Sequence, residues 1–216
     1  DIHAFCFEHF SVSFLVVEAS SALAPLRQPV HTCIAKIATW TAAATNEAGD
    51  ASLSDTAGGL IDAAPLGAGL AIYKARFAYL AEYVRGNQIF AMRRLPIEIG
   101  VLAVNCVADF KGRHFLLTES DMVVTDGVTF ESVANDRVRR LLFNQLDQAN
   151  YGACFVAQNR RESEIMCCFP SAGGTHCDLA LVWNWAANEW ALRDLPNISC
   201  MARGVVNDTA AAENWD

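Results

Sequence analysis

Short apolar runs broken by turn residues dominate the chain from about residue 59 onward. Leu70 to Lys74, Phe77 to Val84 and Gln88 to Met92 are separated by Ala75-Arg76 and by Arg85-Gly86-Asn87. Runs of this length bounded by Gly, Asn and charged residues predict strands, and their spacing predicts a meander. A second set runs from Val101 to Phe110, His114 to Thr118, Asp121 to Thr125 and Val128 to Phe130. Its breaks are Lys111-Gly112-Arg113, Glu119-Ser120 and Asp126-Gly127, and Asp-Gly between apolar runs is a strong hairpin signal. A third set comprises Ala153 to Ala157, Ser163 to Phe169, Leu179 to Trp185 and Glu189 to Arg193, and Cys200 to Val206 opens a possible fourth.

The second strands of these sets, Ala71 to Lys74, His114 to Leu117 and Glu164 to Cys167, recur at the roughly 40 to 50 residues typical of four-stranded propeller blades. The expected class is therefore all-β, with about three recognisable blades and an incomplete propeller. One four-stranded sheet cannot cover both of its apolar faces alone, so successive sheets must stack. One helix interrupts the series. Asp136 to Asp147 places Val138, Leu141, Leu142 and Leu146 near one face, with Asn135 or Asp136 as its cap. Pro25, Pro29 and the small-residue tract Thr41 to Gly59 predict an irregular arm or partial blade over 1–52, ahead of a propeller-like domain over 53–206 and a tail over 207–216.

Composition narrows the class further. Of 216 residues, 53% are apolar and 19% charged, enough to build a core and too apolar for a disordered chain. Sixteen Lys and Arg against 24 Asp and Glu give a net charge of −8, which argues against adhesive nucleic-acid binding. Phe10 to Val17 is about eight residues long, far short of a membrane span, and the basic segment of a signal peptide is missing before it. The chain begins at Asp1, as expected of a fragment or a processed piece.

Eight cysteines, Cys6, Cys33, Cys106, Cys154, Cys167, Cys168, Cys177 and Cys200, show no paired Cys-x-x-Cys spacing. Reduced, buried thiols are expected. Cys167, Cys168, His176 and Cys177 have zinc-ligand chemistry, but neighbours on a strand point to opposite faces, so no metal is expected there. Cys6 with His9 and His31 with Cys33 lack further partners. No nucleophile elbow or phosphate loop is present; Gly67 with Gly69 and Gly58-Gly59 read as turns. The pairs Glu119 and Asp121, and Glu162 and Glu164, read as solvated turn and edge positions, and no catalytic or cofactor-binding residue is expected. Trp183, Trp185 and Trp190 flank a tight turn, where packing between blades competes with a sugar- or base-stacking platform. Arg93-Arg94, Arg160-Arg161 and Arg137 to Arg140 suit ion pairs to a protein partner or a DNA-facing rim.

The succession of Gly100 to Asp126, Asn135 to Arg140, Leu142-Phe143, Asp147, Asn150-Tyr151, Phe155 to Asn159 and Cys168-Phe169-Pro170 resembles tail proteins of short-tailed bacteriophages. Ala180 to Trp185, Asn188-Glu189-Trp190 and Arg193 to Asn197 continue the pattern, so that it covers about 53–206. The resemblance implies a propeller-containing tail hub or nozzle subunit in the virion, a non-enzymatic structural part of the head-to-tail conduit. It further implies assembly in the host cytoplasm, self-association into a ring, contact with portal, adaptor and other tail proteins, and passage of DNA. A carbohydrate-binding or hydrolytic propeller and a kelch-like interaction module are the alternatives.

Overall fold

The structure is a computed structural model that describes residues 2–9, 12–19, 29–34, 49–84 and 90–202, with side chains over 53–84 and 91–202. It is mostly β. Four four-stranded antiparallel sheets follow one another along the chain. The first contains β1 (Ile2–His9), β2 (Val12–Ala19), β3 (Pro29–Ile34) and β4 (Gly49–Ser52); the second, β5 (Leu60–Leu66), β6 (Gly69–Lys74), β7 (Ala78–Tyr83) and β8 (Phe90–Arg94). The third contains β9 (Val107–Phe110), β10 (Arg113–Leu117), β11 (Met122–Thr125) and β12 (Phe130–Ser132); the fourth, β13 (Phe155–Asn159), β14 (Glu164–Phe169), β15 (Cys177–Asn184) and β16 (Glu189–Ile198). In every sheet the strands pair in chain order, each a simple meander.

The three blades expected from the pattern are the second, third and fourth sheets. Within 1–52, read from composition as an irregular arm or partial blade, the described residues carry the backbone pairing of a further meander, with Ile2 opposite Ala19 and Val12 opposite Ile34. The possible strand from Cys200 begins with Cys200 to Ala202 outside any strand, and 203–206 and the tail lie outside the described residues.

Turn chemistry sets the registers. Phe110 pairs with Arg113, so only Lys111 and Gly112 form the β9–β10 loop, with φ of 52° and 76°. Two consecutive positive φ angles match the right-handed twist of a hairpin, and Gly112 adopts its angle without a Cβ penalty. At Asp126-Gly127 the loop is longer, because Thr125 pairs with Phe130. The Asp126 carboxylate shapes it by accepting the N–H groups of Val128 at 2.8 Å and Thr129 at 2.7 Å.

Side-chain alternation sorts the apolar residues onto two faces of each sheet. On β6, Ala71 and Tyr73 enter the main core, whereas Leu70 and Ile72 join a separate cluster with Leu60, Ala63, Tyr79 and Ala81. On β14, Ile165, Cys167 and Phe169 face the main core and Met166 and Cys168 the opposite cluster. The main core is continuous from the second sheet through the third to the fourth. First strands lie side by side, β1 next to β5, β5 next to β9 and β9 next to β13, the neighbour relation of propeller blades.

Helix α1 (Asp136–Gln145) occupies the connection between the third and fourth sheets. Asn135 is its cap, accepting the Val138 N–H at 3.0 Å, and Val138 and Leu142 are buried. Arg139 ties the helix to the third sheet through Asp121 at 3.0 Å and Ser132 at 3.1 Å. Another connection, 95–106, crosses close under the second sheet, where the Val101 N–H donates to the Lys74 carbonyl at 3.0 Å. A Cβ at Gly100 would sit 1.9 Å from that carbonyl oxygen and 2.3 Å from the Ala75 carbonyl carbon. Gly100→Ala must displace backbone, and urea denaturation should show a loss of about 2–4 kcal/mol; a loss below about 0.5 kcal/mol would contradict this packing.

Candidate functional site

Polar groups concentrate at the seam where the second, third and fourth sheets meet. Asp62 lies on β5 beside a register shift between Leu60 and Asp62, and is 6% exposed. Its Oδ1 accepts the Ala63 N–H and its Oδ2 the Asn105 N–H, each at 2.8 Å. Asn105, in the left-handed region at φ 63°, passes the link on: its carbonyl accepts the Val156 N–H of β13 at 2.8 Å. The Asp62 carboxylate and the backbone N–H and C=O of Asn105, a residue of the connection before β9, thus link the second sheet to the fourth.

A second link lies beside it. The Tyr73 hydroxyl is 2.7 Å from His114 Nδ1, and His114 Nε2 is 2.8 Å from the Pro65 carbonyl oxygen. A carbonyl only accepts, so Nε2 carries the proton and Nδ1 accepts from Tyr73. Both rings are buried, and their neutral forms complete the chain from β5 and β6 to β10. Burial pushes the Asp62 carboxyl up to about 6, against the two N–H donors that pull it down. Burial also lowers His114, partly opposed by the Pro65 hydrogen bond and by Asp109, and raises Tyr73 together with the charge of Asp62.

Lys74 secures the entry to the second sheet. Its Nζ donates to the carbonyls of Leu53 at 2.6 Å and Thr56 at 2.9 Å. Tyr79 donates to Asp55 at 2.5 Å, which leaves the Thr56 hydroxyl as donor to Tyr79 at 2.6 Å. Burial lowers Lys74, and nearby Asp55 counters it.

The tryptophans pack between sheets. Trp183 stacks on Phe115 at 5.8 Å and on Trp190 at 5.9 Å, and its ring is 5.3 Å from Phe110. Trp185 meets Phe110 edge-on at 5.6 Å. Trp183 is 5% exposed and its Nε1 donates to Asn188 at 3.2 Å, so neither of its faces is open to a ligand. Phe110 and Phe115 belong to the third sheet, and the aromatic cluster is a joint between it and the fourth.

Cys167 and Cys168 lie on opposite faces of β14, as adjacent strand residues must. His176 is exposed and within 2.9 Å of the Thr175 hydroxyl. Among the described residues, no three His, Cys, Asp or Glu side chains gather in a metal-holding group. The side chains of Cys6, His9, His31 and Cys33 lie outside the described residues. Burial raises every core thiol, Cys154 and Cys168 to about 12 and Cys177 to about 11, with Cys106 and Cys167 well above the ordinary value. Cys106 donates to the Cys154 carbonyl at 3.5 Å and Cys177 to that of Ala153 at 3.1 Å.

The charged candidates are divided among ion pairs. Glu119 faces Arg76 at 3.6 Å and Asp121 faces Arg139, while Glu162 faces Arg161 at 3.7 Å and Glu164 faces Arg193 at 3.4 Å. Arg93 pairs with Glu82, Arg94 with Glu98, and Arg160 with Asp109, whereas Arg137 and Arg140 are exposed on α1. A cleft of about 670 Å3 opens between β9 and β13, with Arg160, Arg161 and Asp109 at its rim and Val107, Val156 and Met166 among its apolar lining. Asp62, Tyr73, Lys74 and His114 carry no motif in the sequence. The available signal was a polar residue inside an apolar strand run.

Two outcomes follow from these environments. A thiol-alkylating reagent on the native protein should modify exposed Cys200 at least about tenfold faster than Cys106, Cys154, Cys167, Cys168 or Cys177, measured by peptide mass spectrometry. Asp62 binds its proton more readily folded than unfolded, so its stabilising contribution appears as pH falls from about 6 towards 4 and is lost as pH rises through about 6. Across that window the wild type should gain up to about 3 kcal/mol over Asp62→Asn in chemical denaturation; a parallel pH dependence of the two proteins would refute the assignment. Comparison with protein-family models and with curated proteins finds no match to this chain.

Proposed function

We propose that this chain is a virion structural protein, part of the tail hub or nozzle or head-to-tail conduit of a short-tailed bacteriophage, that works in a ring of identical copies. The observation that carries the reading is the ordered succession of residue patterns over about 53–206, set on successive four-stranded meanders with neighbouring first strands. A stacked-sheet scaffold suits a load-bearing ring subunit, whose role is shape. Portal, adaptor and other tail proteins are its partners in this reading, with assembly in the host cytoplasm. The net charge of −8 suits passage of DNA, since an acidic wall gains no counterion release from the phosphates sliding by.

The packing of Trp183 against Phe110, Phe115 and Trp190 favours this reading over a carbohydrate-binding propeller, because the required stacking face is occupied. The deciding experiment is mass spectrometry and cryo-electron microscopy of purified particles. The expected result is this chain in intact virions, in a ring at the tail vertex; particles that are complete without it would overturn the proposal.

A further inference from the structure

The seam between the second and third sheets holds a histidine whose protonation the surrounding hydrogen bonds do not accommodate. His114 is 1% exposed, Tyr73 is fully buried, and the ring is held at both nitrogens. Because Nε2 donates to the Pro65 carbonyl, a proton can add only at Nδ1, the atom that accepts from Tyr73. Adding it places two protons between Nδ1 and the tyrosine oxygen. The Tyr73 hydroxyl must then rotate to accept, and its own proton loses its acceptor inside the core.

We propose that the Tyr73–His114–Pro65 chain is an acid-sensitive latch, closed when His114 is neutral and released between the second and third sheets when Nδ1 takes a proton. This rests on hydrogen-bond geometry alone and stands or falls independently of the virion reading.

The groups around the ring decide whether the cation is tolerated. Across from His114, β9 presents Asp109 and β11 presents neutral Thr125. Asp109 is half-exposed and already engaged by Arg160 at 2.5 Å, and Thr125 donates to the Thr129 carbonyl at 2.7 Å. From β6 comes Tyr73, and from β5 the Asp62 carboxylate, whose oxygens take the Ala63 and Asn105 N–H groups. Cys106, in the connection before β9, remains a neutral thiol. On its own strand, Arg113 turns to Glu131 at 2.9 Å. No carboxylate among these forms a hydrogen bond to the ring, and the lowered proton affinity of His114 agrees with an unsupported cation.

The latch closes a seam already joined by apolar contacts, so release loosens the sheets locally and need not unfold the chain. The test uses the full chain with 15N-labelled histidine. At pH 8 the His114 ring signals should be those of the Nε2–H tautomer. Hydrogen exchange at pH 5, corrected for intrinsic rates, should exceed that at pH 8 by about tenfold in β5–β6 and β9–β10, with β13–β16 changed less than about twofold. His114→Gln, whose amide can accept from Tyr73 and donate to Pro65, should abolish this rise at pH 5, leaving only the opposite, protective effect of Asp62 protonation. An Nδ1–H tautomer, exchange equal at the two pH values, or an acid step that persists in His114→Gln would overturn the proposal. If His114→Gln does not fold, the wild-type tautomer and exchange results decide alone.

Discussion

A middle strand with both faces buried is the constraint on which the rest of this molecule depends. Every residue of β6 and β11 is buried, on either face, so neither the second nor the third sheet is complete by itself. Stacking is the way to remove both faces from water, and at roughly 25 cal/mol per Å2 of apolar surface it is the dominant favourable contribution. That demand fixes where polar groups can sit. At the seam, each buried polar atom needs a partner on the neighbouring sheet or in the connection between sheets. Asp62, Asn105 and Val156 meet it with one continuous path, and Tyr73, His114 and Pro65 with another.

Much of this plan was legible in the sequence, because period-two alternation and turn residues are local. Lys111-Gly112 marked its hairpin, Asn135 marked the start of α1, and the strands of the third and fourth sheets overlap the apolar runs, although the run Val101 to Phe110 is strand only from Val107. What escaped was β5. Asp62 and Pro65 interrupt its apolar run, and only the folded context shows why both are tolerated. β5 is an edge strand, where a proline costs no ladder bond, and Asp62 sits at a register shift with its carboxylate satisfied from outside the sheet. The first sheet was legible only as an irregular arm or partial blade: β3 and β4 are separated by residues 35–48, and prolines and small residues carry no periodic signal.

The chemistry was legible as residue types and illegible as partnerships. A histidine, an aspartate and a tyrosine at positions 114, 62 and 73 have no motif spacing, since their proximity is made by the stacking of two sheets. The carboxylates that suggested pairs by their i, i+2 spacing are instead divided, each taken by a different arginine. Surface ion pairs of this kind contribute little to stability, about 0–1 kcal/mol each, so their value is in keeping an acidic chain free of unpaired charge at the strand edges.

Seam polarity has a different consequence from surface charge. Apolar faces of similar width stack on one another in many registers, and apolar area alone distinguishes them poorly. A buried carboxylate aimed at one peptide N–H, or an imidazole that needs a donor on one side and a carbonyl on the other, has one satisfactory register. Every other pairing leaves a desolvated group unpaired, at about 1–3 kcal/mol each. The polar links therefore add little net stability in the correct arrangement and penalise the incorrect ones. In a chain of similar four-stranded meanders, such links favour the observed neighbours: Tyr73 and Pro65 hold His114 of the third sheet, Asp62 holds the connection before it, and Asn105 of that connection holds the fourth.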